Sequence, residues 1–196
     1  FGNAVHTAFA TDLTAKKVLI TGCGPVGLMT VAVAKAAGAS AVYATDISPY
    51  RLRLAQQLGA TRALNVAEMD VVETIRQETG GDGVDVLLEM SGAQSAIDQG
   101  FRSLRDGGEA ALLGLTPGTI GFDINNAIIF KGATVRGIAG RRLWDTWYRM
   151  RGLLEAGLVD LWPLVTHRYT LDQWEEAIQA MNSGATGKVV MFVGEG

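Results

Sequence analysis

The chain has 196 residues, of which 48% are hydrophobic and 19% are charged, with a formal net charge of −3. These values are typical of a globular α/β protein and argue against a disordered chain. The negative charge argues against nucleic acid or an anionic membrane as a partner. No apolar run reaches the roughly 18–20 residues of a membrane span. The single cysteine, Cys23, excludes an internal disulfide and a four-cysteine zinc site, so we expect a cytoplasmic protein.

In chain order, apolar runs alternate with helical patterns of about ten residues. After a first helix at 4–10, the patterns predict six strands, at 17–21, 41–45, 65–66, 84–89, 109–113 and 133–138. They predict helices at 26–37, 49–58, 70–78, 94–104 and near 125–130. This alternation is typical of right-handed crossovers and a mostly parallel sheet. Because the strands are nearly continuous apolar runs, we expect helices on both faces of the sheet.

The first predicted strand runs into a glycine-rich turn. Gly22, Gly24 and Gly27 have the G-x-G-x-x-G spacing, and Pro25 suits the first turn of the helix that follows. In a dinucleotide site these glycines allow the tight turn, the close approach of a pyrophosphate and the packing of helix on strand. The positive end of the helix dipole then faces the phosphates. The pattern predicts a Rossmann doubly wound six-stranded sheet.

An acidic residue, Asp46, follows Gly27 by nineteen residues, at the end of the second predicted strand. A carboxylate there can accept both ribose hydroxyls of an adenosine and would repel a 2′-phosphate. With Ile47 next to it, the pattern predicts NAD rather than NADP. Two alternatives remain: the turn could serve S-adenosylmethionine, or Asp46 could cap the next helix, for which Ser48 and Pro49 form a start signal.

Ligands of doubly wound sheets lie across the carboxyl ends of the strands. These ends carry Gly22–Gly27, Asp46, 89–92, 113–115 and 138–140. We therefore predict a dinucleotide that runs from Asp46 over Gly24 to Leu113 and Ile138.

The C-terminal part departs from the strand–helix rhythm. A helix is predicted at 144–155 with Leu143, Trp147, Met150 and Leu154 on one packed stripe, and strand, helix and strand follow at 165–169, 171–181 and 188–193. We expect one domain at 1–164, with its core at 16–140, and a segment at 165–196 that belongs to another domain.

Several longer strings carry a resemblance to a known family. They are FGNAVHT (1–7), EMSGA (89–93), IFKG (129–132), GRR (140–142), WDTWY (144–148), THRY (166–169) and GKVV (187–190). With these strings the chain resembles the zinc-dependent medium-chain alcohol dehydrogenases. The resemblance implies that Val26 covers the cofactor, that Asp46 holds the adenosine ribose and that Arg51 lies beside the adenine. It also implies residues that flank the nicotinamide, which are Leu113, Gly114, Leu115, Ile138 and Ala139.

The same resemblance implies an activity. Among members of the family, the strings are most similar to those that act on L-threonine, which implies oxidation of this small-molecule substrate to 2-amino-3-ketobutyrate with hydride transfer to NAD. The family's zinc ligands lie in an N-terminal GroES-like domain. We therefore expect a fragment with no metal ligands, inactive alone, whose residues 165–196 complete that domain. We also expect a homo-oligomer, a dimer or tetramer, that joins through the edge strand 133–138.

Other functions stay open. The chain could belong to a sorbitol- or butanediol-type dehydrogenase, to a non-catalytic nucleotide-binding module or to an S-adenosylmethionine-dependent methyltransferase. Glu89 is expected to be a structural carboxyl group rather than a general base, and Cys23 a small filler rather than a reactive thiol. His6 and His167 are expected to bind no metal.

Overall fold

A six-stranded, wholly parallel sheet forms the centre of the computed structural model, which describes residues 1–194. The strands lie in the order β3-β2-β1-β4-β5-β6. This order reverses between β1 and β4, as expected of a doubly wound sheet. The predicted fold class is thus confirmed. The strands are β1 Lys17–Thr21, β2 Ala41–Asp46, β3 Arg62–Asn65, β4 Val84–Glu89, β5 Leu104–Leu112 and β6 Thr134–Gly137.

Helices cover both faces of this sheet. Val18 and Ile20 of β1 point into one apolar cluster with α1, α2 and α3, whereas Leu19 points into the other with α4 and α5. The alternation follows from the two-residue period of a strand. These helices are α1 Gly2–Ala8, α2 Pro25–Ala36, α3 Pro49–Gln57, α4 Val71–Glu78 and α5 Gln94–Ser103, and a five-residue π-helix spans Asn125–Ile129.

Strand β5 begins earlier than predicted. Leu104 already pairs with Val84 of β4, but the next pair joins Val86 to Glu109, so β5 carries extra residues between the two pairs. Gly107, within the irregular stretch, has a φ of +68°, a conformation that glycine adopts without strain. The prediction placed the strand start after this bulge because the apolar run begins there.

The C-terminal part contains α6 Asp145–Glu155, β7 Val165–Thr170, α7 Trp174–Asn182 and β8 Lys188–Phe192, with 3₁₀ turns at Trp162–Leu164 and Leu171–Gln173. β7 and β8 pair with each other in parallel and form a sheet separate from the six-stranded one. The predicted strand–helix–strand order is confirmed. Glu195 and Gly196, which close the predicted segment, lie outside the described residues.

The prediction that Leu143, Trp147, Met150 and Leu154 form the packed face of α6 is wrong. Leu143, Trp147 and Leu154 are 75%, 42% and 46% exposed, whereas Thr146 and Leu153 are buried. Helix α6 contacts α1, and Leu153 of this second face belongs to the same apolar cluster as Val5 and Ala8 of α1. Met150 belongs to both stripes, because residues three and four apart lie side by side on a helix. The apolar pattern alone favoured the face that stays exposed in this chain.

Within residues 1–194, none of the helices combines the length and the apolar character that crossing a bilayer requires.

Candidate functional site

The glycine-rich turn joins β1 to α2 at the carboxyl edge of the sheet. Gly22 has a φ of +89°, in the left-handed region that favours glycine. A Cβ on Gly27 would overlap the main-chain oxygen of Gly22, so only glycine lets α2 start this close to the strand. Gly24 is the N-cap of α2, no side chain caps the helix, and a Cβ on Gly24 would meet no atom within 4 Å. The turn therefore leaves open space at a helix N-terminus, where phosphates bind.

Asp46 connects this turn to the next helix. Its Oδ2 accepts a hydrogen bond from Cys23 N (2.7 Å), and its Oδ1 accepts one from Ser48 N (2.8 Å). Ser48, not Asp46, is the N-cap of α3, and its Oγ accepts a bond from Arg51 N. An ionised carboxyl group has about four acceptor positions. With one N–H on each oxygen, about half of that capacity remains for a ligand.

A cleft of about 220 Å³ opens beside Asp46. Its wall includes Gly22, Asp46 and Arg51, three residues predicted to contact the cofactor. The Nε of Arg51 is buried and has no hydrogen-bond partner. A buried polar group without a partner is unfavourable. A polar ligand in the cleft would give this atom the hydrogen-bond partner that it lacks. Arg51 is therefore partly buried rather than freely solvated.

The other predicted residues follow β5 and β6. Leu113 N and Gly114 N both donate to the main-chain oxygen of Glu89 (2.9 and 3.2 Å), and Ile138 N donates to Leu112 O (2.9 Å). The segments that hold 113–115 and 138–139 thus lie side by side at the same edge as the glycine turn. Leu115 is 91% exposed. The structure therefore brings all of the predicted positions to one edge of the sheet.

Sequence reasoning missed the contribution of the segment after β4. Ser91 packs so closely on the turn that a Cβ on Gly22 would lie 2.7 Å from the Ser91 Cβ. Ser91, Ala93, Ser95 and Ala96 line the cleft beside Asp46. The sequence analysis placed 89–92 at the ligand edge of the sheet but named no cofactor contact in it, and the available signal was the small-residue run directly after the strand end.

The other side chains considered as candidates, which are Cys23, His6 and His167, make contacts typical of structural roles. Cys23 is fully buried in the turn, and burial raises the pKa of its thiol, so the prediction of a filler rather than a reactive thiol is confirmed. His6 Nδ1 donates to the Gly140 oxygen (2.9 Å), and His167 Nδ1 bonds Thr166 Oγ1 (2.9 Å). Within residues 1–194, no group of three or more His, Cys, Asp or Glu side chains could hold a metal ion.

A second cavity, of about 590 Å³, is lined by none of the residues predicted to contact the cofactor. Arg76 and Arg102 are in the last turns of α4 and α5, and both line this cavity with Lys131. Lys131 Nζ donates to the main-chain oxygens of Phe101 and Leu104, and burial lowers the pKa of this amine. These cations complement the negative ends of the helix dipoles, so their positions are explained without a ligand.

This arrangement of turn, acidic residue and parallel sheet agrees with the comparisons to known proteins. Residues 25–156 match the family model described as zinc-binding dehydrogenase, so the chain belongs to that family. Among curated relatives, the L-threonine 3-dehydrogenase of Symbiobacterium thermophilum is 52% identical over 97% of this chain and 54% of its own length. The enzyme of that name from Pyrococcus abyssi is 48% identical over 98% and 56%. The chain thus spans about half the length of the curated relatives it matches.

Solved structures agree with this fold. The 2R,3R-butanediol dehydrogenase of Bacillus subtilis has a TM-score of 0.90 and 31% identity over 98% of this chain and 55% of its own. A protein of Sinorhizobium meliloti described as a zinc-binding dehydrogenase, bound to NADP, has a TM-score of 0.89 and 26% identity over 98% and 57%.

Proposed function

We propose that this chain is the NAD-binding portion of a zinc-dependent L-threonine 3-dehydrogenase. The observation that carries the proposal is the position of Asp46. Its carboxyl group closes the second strand, holds the glycine turn through Cys23 N and borders a cleft that Gly22 of the turn also lines. A carboxyl group there accepts ribose hydroxyls and repels a 2′-phosphate.

The residues present fit an extended dinucleotide. Asp46 and Arg51 would hold the adenosine ribose and the adenine side. The turn formed by Gly22, Gly24 and Gly27, with Pro25 and Val26 at the first turn of α2, would hold the diphosphate. The nicotinamide would be flanked by Leu113, Gly114, Leu115, Ile138 and Ala139. In the reaction NAD accepts a hydride, and these residues would orient its ring at the carboxyl edge of the sheet.

The substrate proposal rests on the relatives named L-threonine 3-dehydrogenase. We propose that the whole enzyme oxidises L-threonine to 2-amino-3-ketobutyrate. Zinc, which polarises the substrate hydroxyl in such chemistry, would be held by residues outside this chain. We further propose that residues 1–164 form the coenzyme domain and that residues 165–196 complete a separate catalytic domain. The separate β7–β8 sheet supports this division.

We also propose a homo-oligomer that joins through the edge strand at 133–138. Strand β6 pairs only with β5 in the described sheet, and three of its four residues are exposed. The large apolar side chains of Ile129 and Phe130, 59% and 77% exposed, lie just before it. Open edges with exposed apolar neighbours favour pairing with a second chain.

Calorimetric titration of this chain with three ligands tests the cofactor proposal. We expect NAD to bind, NADP to bind at least about tenfold more weakly because of its 2′-phosphate, and S-adenosylmethionine not to bind. Tighter binding of NADP would contradict the assignment of Asp46, and binding of S-adenosylmethionine alone would favour a methyltransferase.

The close structural match to a butanediol dehydrogenase supports diols and polyols as a second candidate substrate class. The test is a comparison of kcat/KM for L-threonine, sorbitol and 2,3-butanediol, measured on a protein that joins this chain to the N-terminal part its relatives carry. We expect preference for L-threonine. Preference for a polyol or diol would contradict the substrate and leave the cofactor proposal intact. This chain alone is expected to turn over none of them.

A further inference from the structure

Glu89 connects three strand ends at the carboxyl edge of the sheet. It is the last residue of β4, where it pairs with Thr21 of β1 and with Leu112 of β5. Its side chain is one of the largest that are fully buried in the described part of the chain. A buried carboxyl group is unfavourable unless hydrogen bonds compensate it, so its contacts identify what it does.

All side-chain hydrogen bonds of Glu89 converge on one oxygen. Oε1 accepts bonds from Ser91 N (2.8 Å), Ser91 Oγ (2.7 Å), Gly92 N (2.9 Å) and Thr21 Oγ1 (3.4 Å). Its main-chain oxygen accepts bonds from Leu113 N and Gly114 N. The side chain of Glu89 therefore holds the segment after β4, and its main chain holds the segment after β5.

The two segments that Glu89 holds touch opposite parts of the proposed dinucleotide site. Ser91 packs on Gly22 of the diphosphate turn. Gly92 packs on the main chain of Leu115, and a Cβ on Gly114 would overlap both Gly92 N and Glu89 Oε2. That Oε2 is buried, lies against Gly114 and has no hydrogen-bond partner within residues 1–194.

We infer that Glu89 is a positioning residue that sets the distance between the diphosphate turn and the segment 113–115 beside the nicotinamide, without itself touching the cofactor. The inference rests on the proposed function. The turn has its own supports that do not involve Glu89, because Gly22 N donates to Thr45 O (2.8 Å) and Cys23 N donates to Asp46. Loss of the Glu89 side chain removes the bonds from Ser91 and Gly92 and the contact of Oε2 with Gly114, while the main-chain bonds from Leu113 and Gly114 remain. The segment 113–115 should therefore shift through its contacts with Gly92 and Oε2, whereas the adenosine end keeps its supports from Thr45 and Asp46.

The test compares NAD with ADP-ribose, which lacks the nicotinamide ring, by calorimetric titration. For Glu89→Ala we expect the Kd for NAD to rise by about tenfold or more and that for ADP-ribose to stay within about threefold, since a displaced binding group loses affinity only for the part it faces. Glu89→Gln keeps an acceptor for the same donors, so it should restore both affinities to within about threefold of the unmodified chain.

Equal loss of NAD and ADP-ribose affinity in Glu89→Ala would overturn the inference, as would a Gln variant as weak as the Ala variant. Gly114→Ala is a second variant, because its methyl group would overlap Glu89 Oε2 and Gly92 N, which is one of the donors to Oε1. It should show the same selective loss of NAD affinity, and an equal loss of both would contradict the inference. An unmodified chain that binds neither ligand would contradict the proposed function as well.

Discussion

Replacement of Asp46 by serine tests the cofactor assignment directly. Serine is too short to reach both Cys23 N and Ser48 N, and it has no charge to strengthen bonds from ribose hydroxyls. About two acceptor positions of Asp46 remain after the Cys23 and Ser48 bonds. Loss of charge-assisted hydrogen bonds from the ribose should weaken NAD binding by about 1–3 kcal/mol, which is about 5–150-fold in Kd.

The same substitution should also reduce stability. Because Cys23 is buried, its N–H would lose its hydrogen-bond partner and could not bond water instead. This should lower the free energy of unfolding by about 1–3 kcal/mol. A chain of this size would lose about 2–4 °C of Tm per kcal/mol. Binding must therefore be measured well below the Tm of the variant, by calorimetric titration with NAD and NADP in parallel.

Asp70→Ser is the matched control. Asp70 also accepts a main-chain N–H, from Glu73 (3.1 Å), as the N-cap of α4, but it is exposed and lies outside the cleft. It changes the net charge equally and should leave NAD affinity unchanged. Affinity for NADP should fall less than that for NAD in Asp46→Ser, because repulsion of the 2′-phosphate is removed. A folded Asp46→Ser chain that binds NAD within about twofold of the unmodified chain would refute the reasoning.

Three further predictions concern stability and assembly. Gly27→Ala should lower the free energy of unfolding by about 1–3 kcal/mol through overpacking against the preceding turn, whereas Gly152→Ala, open and on helix α6, should be neutral or add up to about 1 kcal/mol; urea unfolding measures both, and equal effects would contradict the steric argument. The pKa of Glu109 is lowered chiefly by its hydrogen bond with Lys16 (2.9 Å), so this pair stabilises the fold above the unfolded-state pKa near 4.3 and the gain is lost as the pH falls through the lower folded-state value. The Glu109→Gln variant should therefore have a free energy of unfolding about 0.2–1 kcal/mol lower at pH 7, and this free energy should fall less on acidification than that of the unmodified chain. An equal fall with pH in the two chains would contradict this prediction. Thr134→Lys, on the exposed edge strand β6, should dissociate the proposed oligomer to folded monomers in light scattering and lower Tm through the loss of association, and an unchanged mass would locate the interface elsewhere.

The sheet and the glycine-rich turn could be predicted because their signals are local. A strand, glycines at fixed spacing and a carboxyl group at the next strand end determine one another through short-range geometry. The strand Val84–Glu89 was predicted at its observed bounds for the same reason. Asp46 was open to two interpretations, and the structure shows Ser48 as the cap and Asp46 as the link between turn and helix.

The misplaced features depend on contacts between distant segments. The irregular start of β5 arises from its pairing with β4, and the buried face of α6 is chosen by α1. Two stripes of α6 share Met150, so the helical period was compatible with burial of either face. The contact of Ser91 on Gly22 joins residues that are far apart in the chain, and no spacing rule predicts it.

The distribution of buried surface explains why nucleotide binding and substrate chemistry would be separable. The six-stranded sheet has an apolar cluster on each face, so the edge that carries the proposed dinucleotide site rests on a complete core. The segment after residue 164 has little core of its own. Ala177 is the only residue of α7 that is fully buried, while Trp174, Ile178 and Met181 of the same helix are 52%, 47% and 57% exposed. A helix with so much apolar surface needs a further partner, which agrees with a C-terminal segment that completes a substrate domain while the sheet positions the coenzyme.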